Sequence, residues 1–250
     1  VLRNTHFPAF AGLLITLSLS AASAAEGLVF SEGFEAGVDT TTKWASTSSK
    51  GYASSAIDSA VSHSGSNSLY QRGCDFYYAG CPYIYSRGNL SAGRSVRVDF
   101  WYNISYRNTQ NSYVGLDLDP EYGGIGPGII MIRDNTENGR IAMSFPGEGW
   151  FLGSASLGTA PTGWNKLSAV YTATPTCTTV EVLRNDQLIQ SRSVAGDLGS
   201  LARLQIGCGG TGGDAKWYVD DISVTSLPEP AALSLLALGG LALTRRRRRK

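Results

Sequence analysis

The stretch Val96-Arg-Val-Asp-Phe-Trp-Tyr-Asn-Ile104 alternates with a period of two, and nothing between residues 25 and 227 keeps a helical period for three turns. A period of two places Val96, Val98, Phe100, Tyr102 and Ile104 on one face of a strand. Arg97, Asp99, Trp101 and Asn103 take the other. The stretch Tyr113–Asp119 repeats the pattern, with Val114, Leu116 and Leu118 expected inward and Tyr113, Asp117 and Asp119 outward. Thr178–Arg184 and Gln187–Ser193 flank Asn185-Asp186, a two-residue turn of the chemistry hairpins prefer. Further strands are expected near Gly27–Glu32, Ser68–Arg72, Tyr83–Arg87, Gly128–Arg133, Arg140–Phe145, Lys166–Thr172, Leu201–Cys208 and Lys216–Thr225. About a dozen short strands of this kind describe an antiparallel two-sheet sandwich. Composition agrees: charged residues are 16% of the chain and glycines number 30, against typical values of about 25% and about 7%. Those figures exclude a coiled coil, a helical bundle and a charge-rich disordered chain.

The ends have a different character. Residues 1–24 carry Arg3, an apolar run from Phe10 and the small-x-small site Ala22-Ser23-Ala24, the pattern of a secretory signal peptide that engages the secretion machinery. At the other end Pro228-Glu229-Pro230 precedes the apolar segment 231–244 and the basic run Arg245–Lys250. As a helix, segment 231–244 reaches only about 21 Å at about 1.5 Å per residue, short of a hydrocarbon core of about 30 Å. It is a marginal membrane span, and the basic run holds its end on the cytoplasmic side.

Without these ends, the body at 25–227 has 203 residues, enough for one domain with a full core. It carries 14 Lys+Arg and 19 Asp+Glu, a net charge of −5. The near-neutral total of +1 conceals this. An acidic body argues against a nucleic-acid partner, which needs a clustered basic face.

Two resemblances follow. The C-terminal tripeptide, short apolar helix and basic cluster resemble the PEP-CTERM sorting signal of Gram-negative bacteria. That resemblance implies recognition near Pro228, Glu229 and Pro230 by an exosortase, transient inner-membrane anchoring, and display at the outer surface or in an exopolysaccharide or biofilm matrix. The body resembles the concanavalin A-like, laminin-G-like jelly roll. The features that carry this are Phe30-Ser-Glu-Gly-Phe-Glu35, His63-Ser-Gly-Ser-Asn-Ser-Leu69, Trp164–Tyr171, Leu204–Gly207 and Tyr218–Val224. Carbohydrate-binding modules of the galactose-binding jelly-roll type share the opening and closing motifs.

An indole on the polar face of a sheet is a stacking platform for a sugar ring. Trp101 is therefore the leading binding candidate, with Arg97, Asp99 and Asn103 beside it and Tyr113 expected on the corresponding face of the next strand. Tyr106 and Tyr122 are candidates for the same rim. Asp117, Asp119 and Glu121 form the rival, catalytic reading, because glycoside hydrolysis uses paired carboxylates and alternate strand residues share a face. Laminarinase-type hydrolases, which this stretch is similar to, carry Glu-x-Asp-x-Glu; here Asp117 stands first, and Pro120 ends the ladder. His63 is the one histidine of the body, in a polar turn.

The apolar parity of the last strand switches across Asp220-Asp221, which calls for a bulge or an inward carboxylate. Resemblance to related jelly rolls implies a structural Ca2+ on Glu35, Asp220 and Asp221. Four cysteines in an exported body suggest two disulfides, with Cys74–Cys81 and Cys177–Cys208 the favoured pairing. Gly207-Cys-Gly-Gly-Thr-Gly212 satisfies G-x-G-x-x-G, but a strand follows it rather than a helix, so it reads as a glycine-rich loop. The expectation is a non-catalytic, exported domain that binds or organises polysaccharide. The alternatives are a hydrolase and a purely structural matrix protein.

Overall fold

Alternation is realised as burial. Val96, Val98, Phe100 and Tyr102 are buried, while Arg97, Asp99, Trp101 and Asn103 remain partly exposed on the opposite face of the same strand. The structure is a computed structural model, and it describes residues 26–39, 42–46, 54–73, 83–106, 112–119, 129–134, 140–145, 151–156, 163–210 and 215–228.

The strands, in chain order, begin with β1 (Gly27–Glu32), β2 (Trp44–Ser46), β3 (Ser54–Asp58), β4 (Ser68–Gly73) and β5 (Tyr83–Ser86). The middle of the chain supplies β6 (Ser95–Tyr106), β7 (Ser112–Asp119), β8 (Ile129–Asp134), β9 (Arg140–Ser144) and β10 (Phe151–Ser156). The last third supplies β11 (Asn165–Ala173), β12 (Cys177–Arg184), β13 (Gln187–Ala195), β14 (Arg203–Gly210) and β15 (Ala215–Ser226). One sheet has the order β13-β12-β11-β6-β15-β4-β3, with β1 beside the second half of β15; the other runs β10-β9-β8-β7-β14-β5-β2. The described pairings are antiparallel, and the chain crosses repeatedly between the sheets. This is a jelly-roll sandwich.

The sheets pack where β14 lies against β4 and β15. Trp44, Trp217, Tyr171, Phe34, Phe100, Leu69, Ile84, Leu118 and Met143 fill the space between them. Aromatic side chains of this size carry much of the apolar area that a core removes from water. Their polar atoms are satisfied internally: Trp217 Nε1 donates to Gln71 Oε1 at 2.8 Å, and Trp44 Nε1 donates to Glu32 Oε2 at 3.1 Å. Asn185 and Asp186 both have positive φ, 49° and 64°, so the β12–β13 turn is the mirror-image type that suits twisted hairpins.

Three strands have no counterpart in the alternation: β2, β3 and β10. The glycine-rich loop reading is corrected for Gly207–Gly210, which are the end of β14 and pair with Gly115–Ser112 of β7, while Thr211 and Gly212 lie outside the described residues. Among the described residues no helix is long and apolar enough to cross a membrane. The signal peptide at 1–24 and most of the C-terminal segment, including Glu229 and Pro230, lie outside the described residues. Pro228 closes the description, two residues after β15.

Candidate functional site

On the outer face of the larger sheet, Arg97, Asp99, Trp101 and Asn103 do share one side of β6. Arg97 Nε donates to both oxygens of Asp99, at 2.9 and 3.0 Å. Its Nη2 donates to Ser168 Oγ at 3.0 Å and to Asp186 Oδ1 at 2.6 Å. Ser168 Oγ also donates to Asp99, and Lys166 Nζ reaches Asp186 at 3.2 Å. The guanidinium of Arg97, and then Lys166, hold the Asp186 carboxyl below the usual carboxylate range. These charges are spent on one another, which leaves little to recognise a ligand.

Trp101 is also engaged. The imidazole of His63 stacks on its indole, with centroids 3.8 Å apart and planes 14° from parallel, and Trp164 meets that imidazole edge-on at 5.7 Å. His63 belongs to a strap, residues 59–67, laid over the β15 bulge. The bulge is the parity switch: pairing with β6 shifts register between Asp220 and Ser223, and Asp221 has φ 46°. Asp220 is fully buried beneath the strap and accepts from the backbone N–H groups of His63 (2.9 Å), Ser64 (3.3 Å) and Asp221 (2.8 Å). Burial pushes its carboxyl above the usual range, against the pull of those donors.

Asp221 meets His63 Nδ1 at 2.6 Å and accepts from Ser64 Oγ at 2.7 Å. Glu35 accepts from the backbone N–H groups of Ser66 and Asn67. Its carboxylate rests against Gly65, whose φ of 57° is the left-handed conformation that favours glycine. Glu35, Asp220 and Asp221 thus gather around one strap, but each is turned to N–H and O–H donors. Among the described residues no three His, Cys, Asp or Glu side chains converge as metal ligands.

The smaller sheet presents the other outer face. Leu118, Leu204, Ile206 and Ile84 are buried toward the core. The alternate positions Asp117 and Asp119 of β7, Arg203, Gln205 and Gly207 of β14, and Tyr83 and Tyr85 of β5 therefore occupy the outer register. Cross-strand pairing orders them into rows: Tyr85 opposite Gln205 opposite Asp117, and beside it Tyr83 opposite Gly207 opposite Gly115. Gly207 facing Gly115 leaves a bare stretch of backbone at the middle of this face. Glycine inside a strand weakens it, and such positions often mark a bulge, a bend, or a site where a ligand or another backbone comes close. The signal was present in the sequence, but hidden in a run that reads as a loop.

Tyr113 requires correction. It pairs with Gly209 and Arg133 in the smaller sheet, whereas the neighbours of β6 are β11 and β15, so Tyr113 and Trp101 do not share a face. Jelly-roll chains change sheets between consecutive strands, and parity alone cannot reveal it. Asp117 and Asp119 do share the outer register of β7, with Asp119 opposite Arg203. Glu121 and Tyr122 lie outside the described residues, and Tyr106 is placed only as the end of β6.

Cys177 is a free thiol, which corrects its expected bond to Cys208. It opens β12 on the outward parity, its Sγ 3.8 Å from Thr179 Oγ1. Cys208 is in β14 of the other sheet, which packs beneath β15 and β4. Three strand spacings of about 4.8 Å separate β12 from β15, well beyond the roughly 7 Å limit on Cα separation for a disulfide. Cys74 and Cys81 lie outside the described residues.

No protein-family model matches the chain, and no curated protein matches it. Several solved structures share its fold. "Cellulose induced protein, Cip1" is 20% identical with a TM-score of 0.56, over 79% of this chain and 97% of that one. A carbohydrate esterase from the Shiga toxin-encoding bacteriophage phi24B is 11% identical with a TM-score of 0.58, over 81% and 99%. Domain 4 of the GH43 extracellular arabinanase AbnA from Geobacillus stearothermophilus, solved with arabinotriose, is 14% identical with a TM-score of 0.52, over 82% and 94%. At these identities the likeness establishes the fold.

Proposed function

We propose that this chain is an exported, non-catalytic polysaccharide-binding domain whose binding surface is the outer face of the smaller sheet. The observation that carries the reading is the pairing of Gly207 with Gly115. It makes a floor without side chains, bordered by Tyr83 in its own row and by Tyr85, Gln205 and Asp117 in the next. Tyrosines offer a flat apolar surface with a polar tip, and amide and carboxylate groups can each take a pair of hydroxyls. That combination suits a pyranose chain laid across strands. The neighbours described as a carbohydrate esterase and as an arabinanase domain holding arabinotriose support the ligand class.

Export and sorting rest on the sequence. Pro228 lies two residues beyond the end of β15, so processing at Pro228-Glu229-Pro230 by an exosortase-type enzyme would leave every described strand intact. The surface-matrix destination follows from that proposal.

Glycan-array binding of the chain and of Gly207→Val tests the reading. The variant places a β-branched side chain, well suited to a strand, on the open floor. Binding by the parent and its loss in the variant support the surface. Equal binding by both would move the site elsewhere, and release of reducing ends abolished by Asp119→Asn would replace binding with hydrolysis.

A further inference from the structure

The strap covers one row of the larger sheet and stops. The next row crosses four strands as Ala56 of β3, Tyr70 of β4, Tyr218 of β15 and Asn103 of β6. It has the outward parity, because Leu69, Gln71, Trp217 and Val219 on either side are buried toward the core. The rings of Tyr70 and Tyr218 are in tilted contact, with centroids 5.2 Å apart and planes 43° from parallel. Both remain partly exposed, and Ala56 leaves the β3 end of the row open. The strap rises along one side of this row, where His63 stacks on Trp101.

We propose that Tyr70 and Tyr218, with Asn103, form a second stacking site for polysaccharide, on the side of the sandwich opposite the Gly115–Gly207 floor. Two adjacent rings offer more stacking area than one, and the amide of Asn103 supplies both a donor and an acceptor at its end. The strap wall fixes the direction in which a chain can lie. The Arg97–Asp99–Asp186 cluster on this face is neutralised internally, whereas the tyrosine row offers aromatic area on which a neutral glycan can stack. With one site on each outer face, a single domain joins two chains. This bridging rests on the function proposed above, while the tyrosine site stands without it.

The test is affinity electrophoresis of the full chain in gels containing hydroxyethyl cellulose, arabinan or galactan, with turbidity of the same mixtures as the readout of bridging. Three proteins are compared with the parent: Tyr70→Leu/Tyr218→Leu, Gly207→Val, and the triple variant. Leucine keeps apolar volume over the sheet, and an unchanged melting temperature confirms folding. If the leucine pair destabilises the sheet, Tyr218→Leu alone takes its place. Each partial variant is expected to lose about 3- to 10-fold in affinity and to abolish turbidity, with no retardation left in the triple variant. Parental retardation and turbidity in the leucine variant would overturn the proposal. If only Gly207→Val behaves like the parent, the tyrosine site stands and the smaller-sheet surface falls. If the parent is not retarded in any gel, both fall.

Discussion

The imidazole of His63 lies flat on the indole of Trp101, 3.8 Å between centroids, while its Nδ1 is 2.6 Å from Asp221. One side chain thereby ties the strap to a central strand and to the bulge of its neighbour. His63→Ala removes the stacking contact and one hydrogen bond to a carboxylate, together worth about 1–3 kcal/mol. A lower melting temperature and a red-shifted tryptophan emission are expected as Trp101 and Trp164 gain water. An unchanged spectrum would mean that the strap is held without the ring.

Asp220 makes the strap sensitive to pH. Because burial raises its pKa in the folded protein, the folded state takes up this proton before the unfolded chain does. Its contribution is therefore greatest below the unfolded value of about 3.9 and is lost as pH rises through the folded value. The stability difference between the parent and Asp220→Asn, read from urea midpoints between about pH 4 and 7, should shrink as pH rises. A difference that grows with pH would contradict the burial argument.

Much of this architecture is legible in the residues and some is not. Val96–Ile104 declared its faces because each inward position is apolar and each outward one but Trp101 is polar. The switch across Asp220-Asp221 was readable for the same reason and appears as the bulge. The polar Ser54–Asp58 and the glycine- and serine-containing Phe151–Ser156 lack that contrast, and their strands are set by neighbours. The parity of β6 turns Trp101 away from the core, but its cover by His63 comes from a turn far away in sequence. Gly115 and Gly207 each fall within an expected strand, but that they face one another emerges only from cross-strand register.

Cys177 should react in the native, unreduced protein. Alkylation followed by peptide mass spectrometry is expected to find it labelled, and Cys177→Ser should leave the melting temperature within about 0.5 kcal/mol equivalent, as expected for a partly exposed site without special contacts. A cross-linked peptide joining Cys177 to Cys208 would refute the free thiol.

Removal of divalent cations should leave the strap in place. Glu35, Asp220 and Asp221 already accept from backbone and side-chain donors of residues 63–67, so EDTA is expected to leave the melting temperature unchanged. A drop that Ca2+ reverses would show that these carboxylates turn toward an ion.

The central claim is that glycan lies over the Gly115–Gly207 floor. It is met most directly by amide chemical-shift mapping of the labelled protein titrated with the best-binding oligosaccharide. Saturable shifts at Gly115, Gln205 and Gly207 are the expected result. Titration to saturation with those three amides unmoved would contradict it.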